Sequence, residues 1–229
     1  YGDHRDQHLS IRRQRQMCIR DRAFNTPEMF ESHFAVPMTG AVLNTINTRL
    51  DADTVAYILE FGNAKALIVD RELFPLAEKV LAQIELKPVL ILIDDETAEV
   101  KPSVDQDVMD YEELVNSGDP DFSCPQLEDE WQALALNFTS GTTGRPKGVV
   151  YHHRGAYLMS MGTVAGWELP RHPRYLYCVP MFHCNGWGHA WTMTLMAGTI
   201  VCMRNFSPNI MFELLECHQI THFGGAPVV

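Results

Sequence analysis

Thr139-Ser140-Gly141-Thr142-Thr143-Gly144-Arg145-Pro146-Lys147-Gly148 is the stretch from which the fold can be read. It follows an apolar run, Trp131 to Phe138, that reads as a strand, and it precedes a helix expected from about Arg154. Gly141, Gly144 and Gly148 allow positive φ and close approach, which lets successive N–H groups face anionic oxygens. Ser140, Thr142 and Thr143 add hydroxyl donors, and Lys147 adds a mobile positive charge. A loop of this kind between a strand and a helix is how a backbone wraps a polyphosphate. The common pattern for that task has Gly directly before its Lys and a hydroxyl directly after it. Here Pro146 precedes Lys147 and Gly148 follows it, so the usual Mg²⁺-binding hydroxyl is missing from that place.

Outward from the loop, composition narrows the choices. The 229 residues are 46% hydrophobic and 21% charged, which suits a soluble α/β chain with a substantial core. A formal net charge of −11 argues against a nucleic-acid partner. An anionic substrate then has to be held by local donors. No apolar run approaches the roughly 20 residues that span a bilayer, and no secretory signal is visible. The six cysteines form no C-x-x-C pair; they read as buried thiols of a reducing compartment, the cytoplasm by default.

Residues 1–22 stand apart. They carry Arg5, Arg12, Arg13, Arg15, Arg20 and Arg22 without apolar periodicity. A basic tail for an acidic partner is one reading. The other is a segment of foreign origin, since Arg13 to Arg22 resembles translated sequencing adapter; on that reading 1–22 is left out of the fold. From Ala23 the pattern is orderly. Thr26-Pro27 opens a helix that should end before Pro37, and Gly40 to Ile46 reads as a strand. Asp51 or Asp53 caps a helix ended by Gly62. Ala66 to Val69 is a buried strand, Glu72 to about Leu86 an amphipathic helix, and Val89 to Ile93 another strand. Apolar strands alternating with helices predict a parallel sheet covered by helices. Asp94 to Glu130 is an acidic surface strap with one short helix near Tyr111 to Val115; its carboxylates read as a solvated face rather than a metal site. Further strands are expected at Tyr175 to Val179, Thr199 to Met203 and Ile220 to Gly224. Helices are expected at His189 to Ala197 and after Ser207-Pro208.

The other informative run is Pro180-Met181-Phe182-His183-Cys184-Asn185-Gly186-Trp187. Taken alone, His183 reads as a structural histidine and Trp187 as a core aromatic. His183, Cys184 and His189 also suggest a metal, but no second ligand pair sits at zinc-like spacing.

The two runs together resemble the acyl-adenylate-forming enzymes, which include acyl-CoA synthetases, luciferases and peptide-synthetase adenylation domains. Thr139 to Gly148 is similar to the signature loop of that family. Pro180 to Trp187 resembles the P-M-F-H-x-x-x-W segment of members that act on aliphatic acids. Ala41 to Leu50 and Thr221 to Pro227 resemble further segments of the same branch, so the likeness covers Ala23 to Val229. Phe138 departs from the Tyr that many members carry before the loop. The resemblance implies a partial N-terminal adenylation domain over 23–229, truncated on its C-terminal side and inactive alone. It implies ATP, Mg²⁺ and CoA acting on a small carboxylic acid: an acyl-adenylate forms with release of pyrophosphate, and the acyl group then passes to CoA. In that frame Thr139, Ser140, Gly141, Thr142, Thr143, Gly144, Lys147 and Gly148 hold the phosphates, Thr142 lies by Mg²⁺, Lys147 and His183 are the catalytic candidates, and Trp187 gates the acyl pocket. Alternatives are an enzyme that loads a carrier protein, an aryl-CoA ligase, or an inactive nucleotide-binding fragment. Self-association as a homodimer is compatible with each.

Overall fold

A computed structural model describes residues 18–104, 108–139 and 145–225. Strand β1 (Cys18–Arg22) is followed by helix α1 (Pro27–Met38) and β2 (Val42–Thr45). Helix α2 (Ala52–Phe61), β3 (Ala64–Asp70), α3 (Phe74–Leu81) and β4 (Val89–Ile93) continue the alternation. A short β5 (Met109–Asp110) and α4 (Tyr111–Asn116) lie in the acidic strap. Next come β6 (Ala133–Phe138), β7 (Gly148–His152) and α5 (His153–Gly166). The chain then forms β8 (Arg174–Tyr177), α6 (His189–Leu195), β9 (Thr199–Cys202), α7 (Pro208–Cys217) and β10 (His222–Phe223).

Two sheets result. The larger has the order β5-β4-β3-β1-β2-β6-β7 and the smaller the order β10-β8-β9. Every ladder is parallel except β6–β7. Alternation along β3 shows why both faces of the large sheet are covered. Leu67 and Val69 join a core with Val55, Ile58 and Leu59 of α2 and Val80 of α3. Ala66 and Ile68 join the opposite core, with Met29 of α1, Tyr175 and Tyr177 of β8 and Met193 of α6. The second core is what the small sheet packs into.

Local rules explain most element ends. Thr26 caps α1 by accepting from Met29 N–H, and Asp51 caps α2 by accepting from Thr54 N–H. Helix α1 runs through Pro37 instead of ending before it. Proline has no N–H for the carbonyl four residues back, here His33 O. The Trp191 indole N–H of α6 takes that carbonyl at 3.2 Å, so the break in the ladder becomes a contact between elements. The helix expected over 72–86 is shorter, because Pro75 lies in its first turn and a 3₁₀ turn, Arg71–Leu73, precedes it.

Two further differences matter for the site. Thr139 to Lys147 does not lead directly from strand to helix. It bridges antiparallel β6 and β7, whose neck is closed by Thr139 N–H donating to Lys147 O at 3.0 Å. Gly148 pairs with Phe138 there, and a Cβ at Gly148 would sit 3.0 Å from Leu136 Cδ1. Cys18–Arg22, set outside the fold in the sequence reading, is the strand between β2 and β3. An extended backbone supplies ladder partners to both neighbours whatever its side chains. The cost falls on Arg22: its buried guanidinium donates to Thr48 O and Leu50 O, while Nε and Nη1 have no partner. Burial pulls its pKa down to about 10. A segment outside the fold could be removed without effect. Deleting Cys18–Arg22 should instead part β2 from β3 and abolish the cooperative thermal transition. A calorimetric trace unchanged within a few degrees, the scale of about 1 kcal/mol, would contradict the central placement of β1.

Candidate functional site

The C-terminal ends of β2 and β6, the hairpin neck and the segment after β8 enclose a cleft of about 480 Å³. Thr139 and His183 line it together with Asn44, Thr45, Asn137 and Tyr151. Ligands of parallel α/β sheets bind at this end of the strands. The floor is polar. Thr45 Oγ1 lies 3.2 Å from Asn137 Oδ1 and 3.1 Å from Phe182 O. Asn44 donates to Leu136 O. Asn137 Nδ2 and Asn44 Oδ1 are buried and have no partner, so the cleft wall carries one unpaired donor and one unpaired acceptor.

Of the residues picked out in the sequence, Thr139, Lys147, Gly148, His183 and Trp187 can be located. Ser140, Gly141, Thr142, Thr143 and Gly144 lie outside the described residues. Lys147 is exposed at the hairpin neck opposite Thr139, and among the described residues it makes no ion pair. Arg145 lies over the Tyr57 ring, 5.2 Å from its centroid. Trp187 is 56% exposed, so it is not the core aromatic that its composition suggests. It meets His183 edge to face, with centroids 6.5 Å apart.

His183 and Trp187 are presented by an unusual turn. Cys184 to Gly188 all have positive φ, between 43° and 68°. For Cys184, Asn185 and Trp187 this conformation costs about 1–2 kcal/mol each. Surrounding contacts hold it. Tyr177 Oη donates to Gly186 O at 2.8 Å, and Thr192 Oγ1 donates to Gly188 O at 3.1 Å. Asn185 is fully buried, and its amide O and N have no partner. Strain of this kind, held by its surroundings, is concentrated at functional sites.

His189, beyond the turn, has a different role. Its Nδ1 is bonded to the Tyr175 hydroxyl, and Trp167, Tyr175 and Tyr177 pack around the ring. Burial lowers its pKa to about 4, which keeps the imidazole neutral as an acceptor for that hydroxyl. Among the described residues no group of three or more His, Cys, Asp or Glu could hold a metal.

Three positioning residues were not found in the sequence. Asn25 precedes the α1 cap in sequence, and its side chain donates to Tyr177 O at 3.0 Å and Val179 O at 2.9 Å and accepts from Met181 N–H at 2.8 Å. Thr45 ties β2 to Phe182. Arg204 binds Asp70, Glu72 and Asp95 at 2.7–2.9 Å and lies over the Phe24 ring. Each partner is tens of residues away or more, so no local pattern announces it.

Residues 21–229 match the family described as AMP-binding enzyme. Among curated proteins, an acetate–CoA ligase of Humulus lupulus is 44% identical over 216 residues, covering 90% of this chain and 38% of that protein. A peroxisomal trans-cinnamate:CoA ligase of Petunia hybrida is 45% identical over 219 residues, again 90% and 38%. The chain thus spans well under half the length of these relatives. A long-chain-fatty-acid-CoA ligase of Archaeoglobus fulgidus superposes with a TM-score of 0.78 at 22% identity, covering 94% of this chain and 41% of the other. An o-succinylbenzoate coenzyme A synthetase of Bacillus subtilis, solved with ATP and magnesium ion, gives 0.73 at 19% identity, with 96% and 42% covered. At these identities the two structures establish the fold.

The strained turn makes a clear forecast. A Cβ at Gly186 would lie 2.0 Å from Tyr177 Oη, and Tyr177 is fully buried. Gly186→Ala should therefore lose about 2–4 kcal/mol of stability in denaturant titration. Gly162→Ala, in α5 with nothing within 4 Å, should gain about 0.5–1 kcal/mol. Equal effects would mean that the turn is not held as described.

Proposed function

We propose, from the premise that this chain belongs to the AMP-binding enzyme family, that the protein activates an aliphatic carboxylic acid with ATP and transfers the acyl group to CoA. The observation that carries the reading is the meeting of Thr139 and His183 in one cleft, because it joins the start of the phosphate loop to the acyl-binding segment. In the first step a carboxylate oxygen attacks the α-phosphorus and pyrophosphate leaves. Both reactants are anions, and the net charge of −11 adds to the repulsion, so local donors must offset it. Magnesium would accompany ATP, and Thr142 would be the residue to offer it a hydroxyl. Ser140, Gly141, Thr143 and Gly144 hold the β- and γ-phosphates, and the exposed Lys147 ammonium follows the departing pyrophosphate. His183 lies against the nucleotide and acyl group. Trp187, exposed beside it, gates entry of the acyl chain. In the second step the CoA sulfur attacks the acyl carbonyl and AMP leaves.

The name of the trans-cinnamate relative favours an aryl acid as the second reading. The proposal includes residues 23–229 as part of an N-terminal adenylation domain. A cytoplasmic location and a homodimer also belong to it. No helix among the described residues is long and apolar enough to cross a membrane; the Petunia relative is named as peroxisomal.

The two half-reactions separate the roles. In the whole protein, Lys147→Ala should slow carboxylate-dependent pyrophosphate exchange by a hundredfold or more, since one lost donor of this type is worth about 3 kcal/mol. Thioester formation from synthetic acyl-adenylate should be largely spared. Unimpaired exchange would sink the phosphate-loop assignment. Equal damage to both half-reactions would assign the loop to folding or CoA binding.

A further inference from the structure

We propose that Cys184 is a thiolation site: an amide-bearing small disulfide enters the cleft, exchanges with its sulfur with the help of His183, and closes the cleft. Cys184 Sγ lies 3.5 Å from His183 Nδ1. Tyr151 lines the same cleft, and its phenol is held above its ordinary pKa first by burial and then by the neighbouring Cys184. An imidazole nitrogen that takes the S–H proton and a phenol O–H that donates to the resulting anion are what a reacting thiol requires. All three side chains line the cleft.

A cysteine beside a histidine is not by itself a site. Asn137 and Asn44 supply the independent observation. They are buried in the same cleft wall, with Asn137 Nδ2 and Asn44 Oδ1 unpartnered. One unpaired donor and one unpaired acceptor in the wall complement a peptide-type amide that reaches them. The other thiols lie outside this cleft, and Cys124 is exposed on the acidic strap. Burial pushes Cys202 up to about 12 and raises Cys178, Cys18 is buried, and Cys217 is exposed on α7.

The exchange balances without any further oxidant. The proton passes from Sγ to His183 Nδ1, and Sγ attacks one sulfur of the reagent. The reagent's S–S bond breaks as the new one forms. The departing half leaves as a thiolate and takes the proton from His183. An adduct of that size stands between Thr139 and His183, where the nucleotide and acyl group are proposed to meet; this blocking consequence rests on that functional reading, whereas the exchange does not.

The test treats the whole protein with glutathione disulfide, CoA disulfide or 2-hydroxyethyl disulfide and follows each cysteine by peptide mass mapping. Cys184 should be modified by at least one of the two amide-bearing disulfides about tenfold faster than Cys217, and the hydroxyethyl reagent should lose that preference. Comparing glutathione with CoA identifies the source of the natural ligand. His183→Gln, with unchanged circular dichroism, should bring Cys184 down to the rate of Cys217. Equal rates at Cys184 and Cys217 in wild type, or undiminished selectivity in His183→Gln, would overturn the proposal. A further arm adds ATP, Mg²⁺ and a carboxylate, which should shield Cys184 alone. Fast, selective reaction at Cys184 without shielding would uphold the thiol site and remove the nucleotide from this cleft.

Discussion

The side chain of Asn25 is the contact on which the site depends. Its amide donates to Tyr177 O and Val179 O and accepts from Met181 N–H, all across more than 150 residues of sequence. These bonds hold the segment after β8 against the entry to α1. Net gains of about 1 kcal/mol per bond understate its importance, because truncation would leave Val179 O and Met181 N–H without this partner, each costing about 1–3 kcal/mol, while Tyr177 O keeps the Met203 N–H. Thr45 adds the next contact down the segment, at Phe182 O. Arg204 fastens the far edge of the small sheet to the carboxylates after β3 and β4. The positions of His183 and Trp187 follow from those three anchors.

Much of the fold is legible from local rules. Strand periodicity places β3, β4 and β6 within a residue or two, and capping chemistry places the starts of α1 and α2, because both signals act over a few residues. What escapes reading is set by tertiary context. Arg20-Asp21-Arg22 does not look like a strand buried in a sheet, yet the ladder needs only an extended backbone there. Pro37 reads as a helix stop, but the Trp191 indole satisfies the carbonyl it orphans. Val149-Val150 is too short to announce a strand before α5, so the run after β6 reads as strand-to-helix although β6 and β7 pair antiparallel. The left-handed turn is the least legible, because three of its five residues are not glycine.

The site divides in the same way. Thr139 and His183, singled out by chemical character and resemblance, meet in one cleft. Asn44, Thr45 and Asn137 form the floor beneath them; Asn44 and Thr45 lie in the run Ala41 to Leu50, which by itself does not announce a cleft floor. Their unpartnered amide atoms give the cleft hydrogen-bonding capacity that an apolar substrate would leave unmet. In a chain of such negative charge, the proposed function makes that capacity and the exposed Lys147 the local counterweight to bound anions. The left-handed turn adds a rigid mount for His183, which a flexible loop would not.

The most direct measurement is a crystal structure of the whole protein with an acyl-sulfamoyl adenosine, a stable mimic of the acyl-adenylate. The account predicts the sulfamoyl group between the Thr139 hairpin neck and His183, the acyl chain passing Trp187, and the Asn44–Asn137 floor in polar contact with the ligand or with waters that it orders. Ligand density lodged elsewhere, with this cleft unchanged, would contradict it.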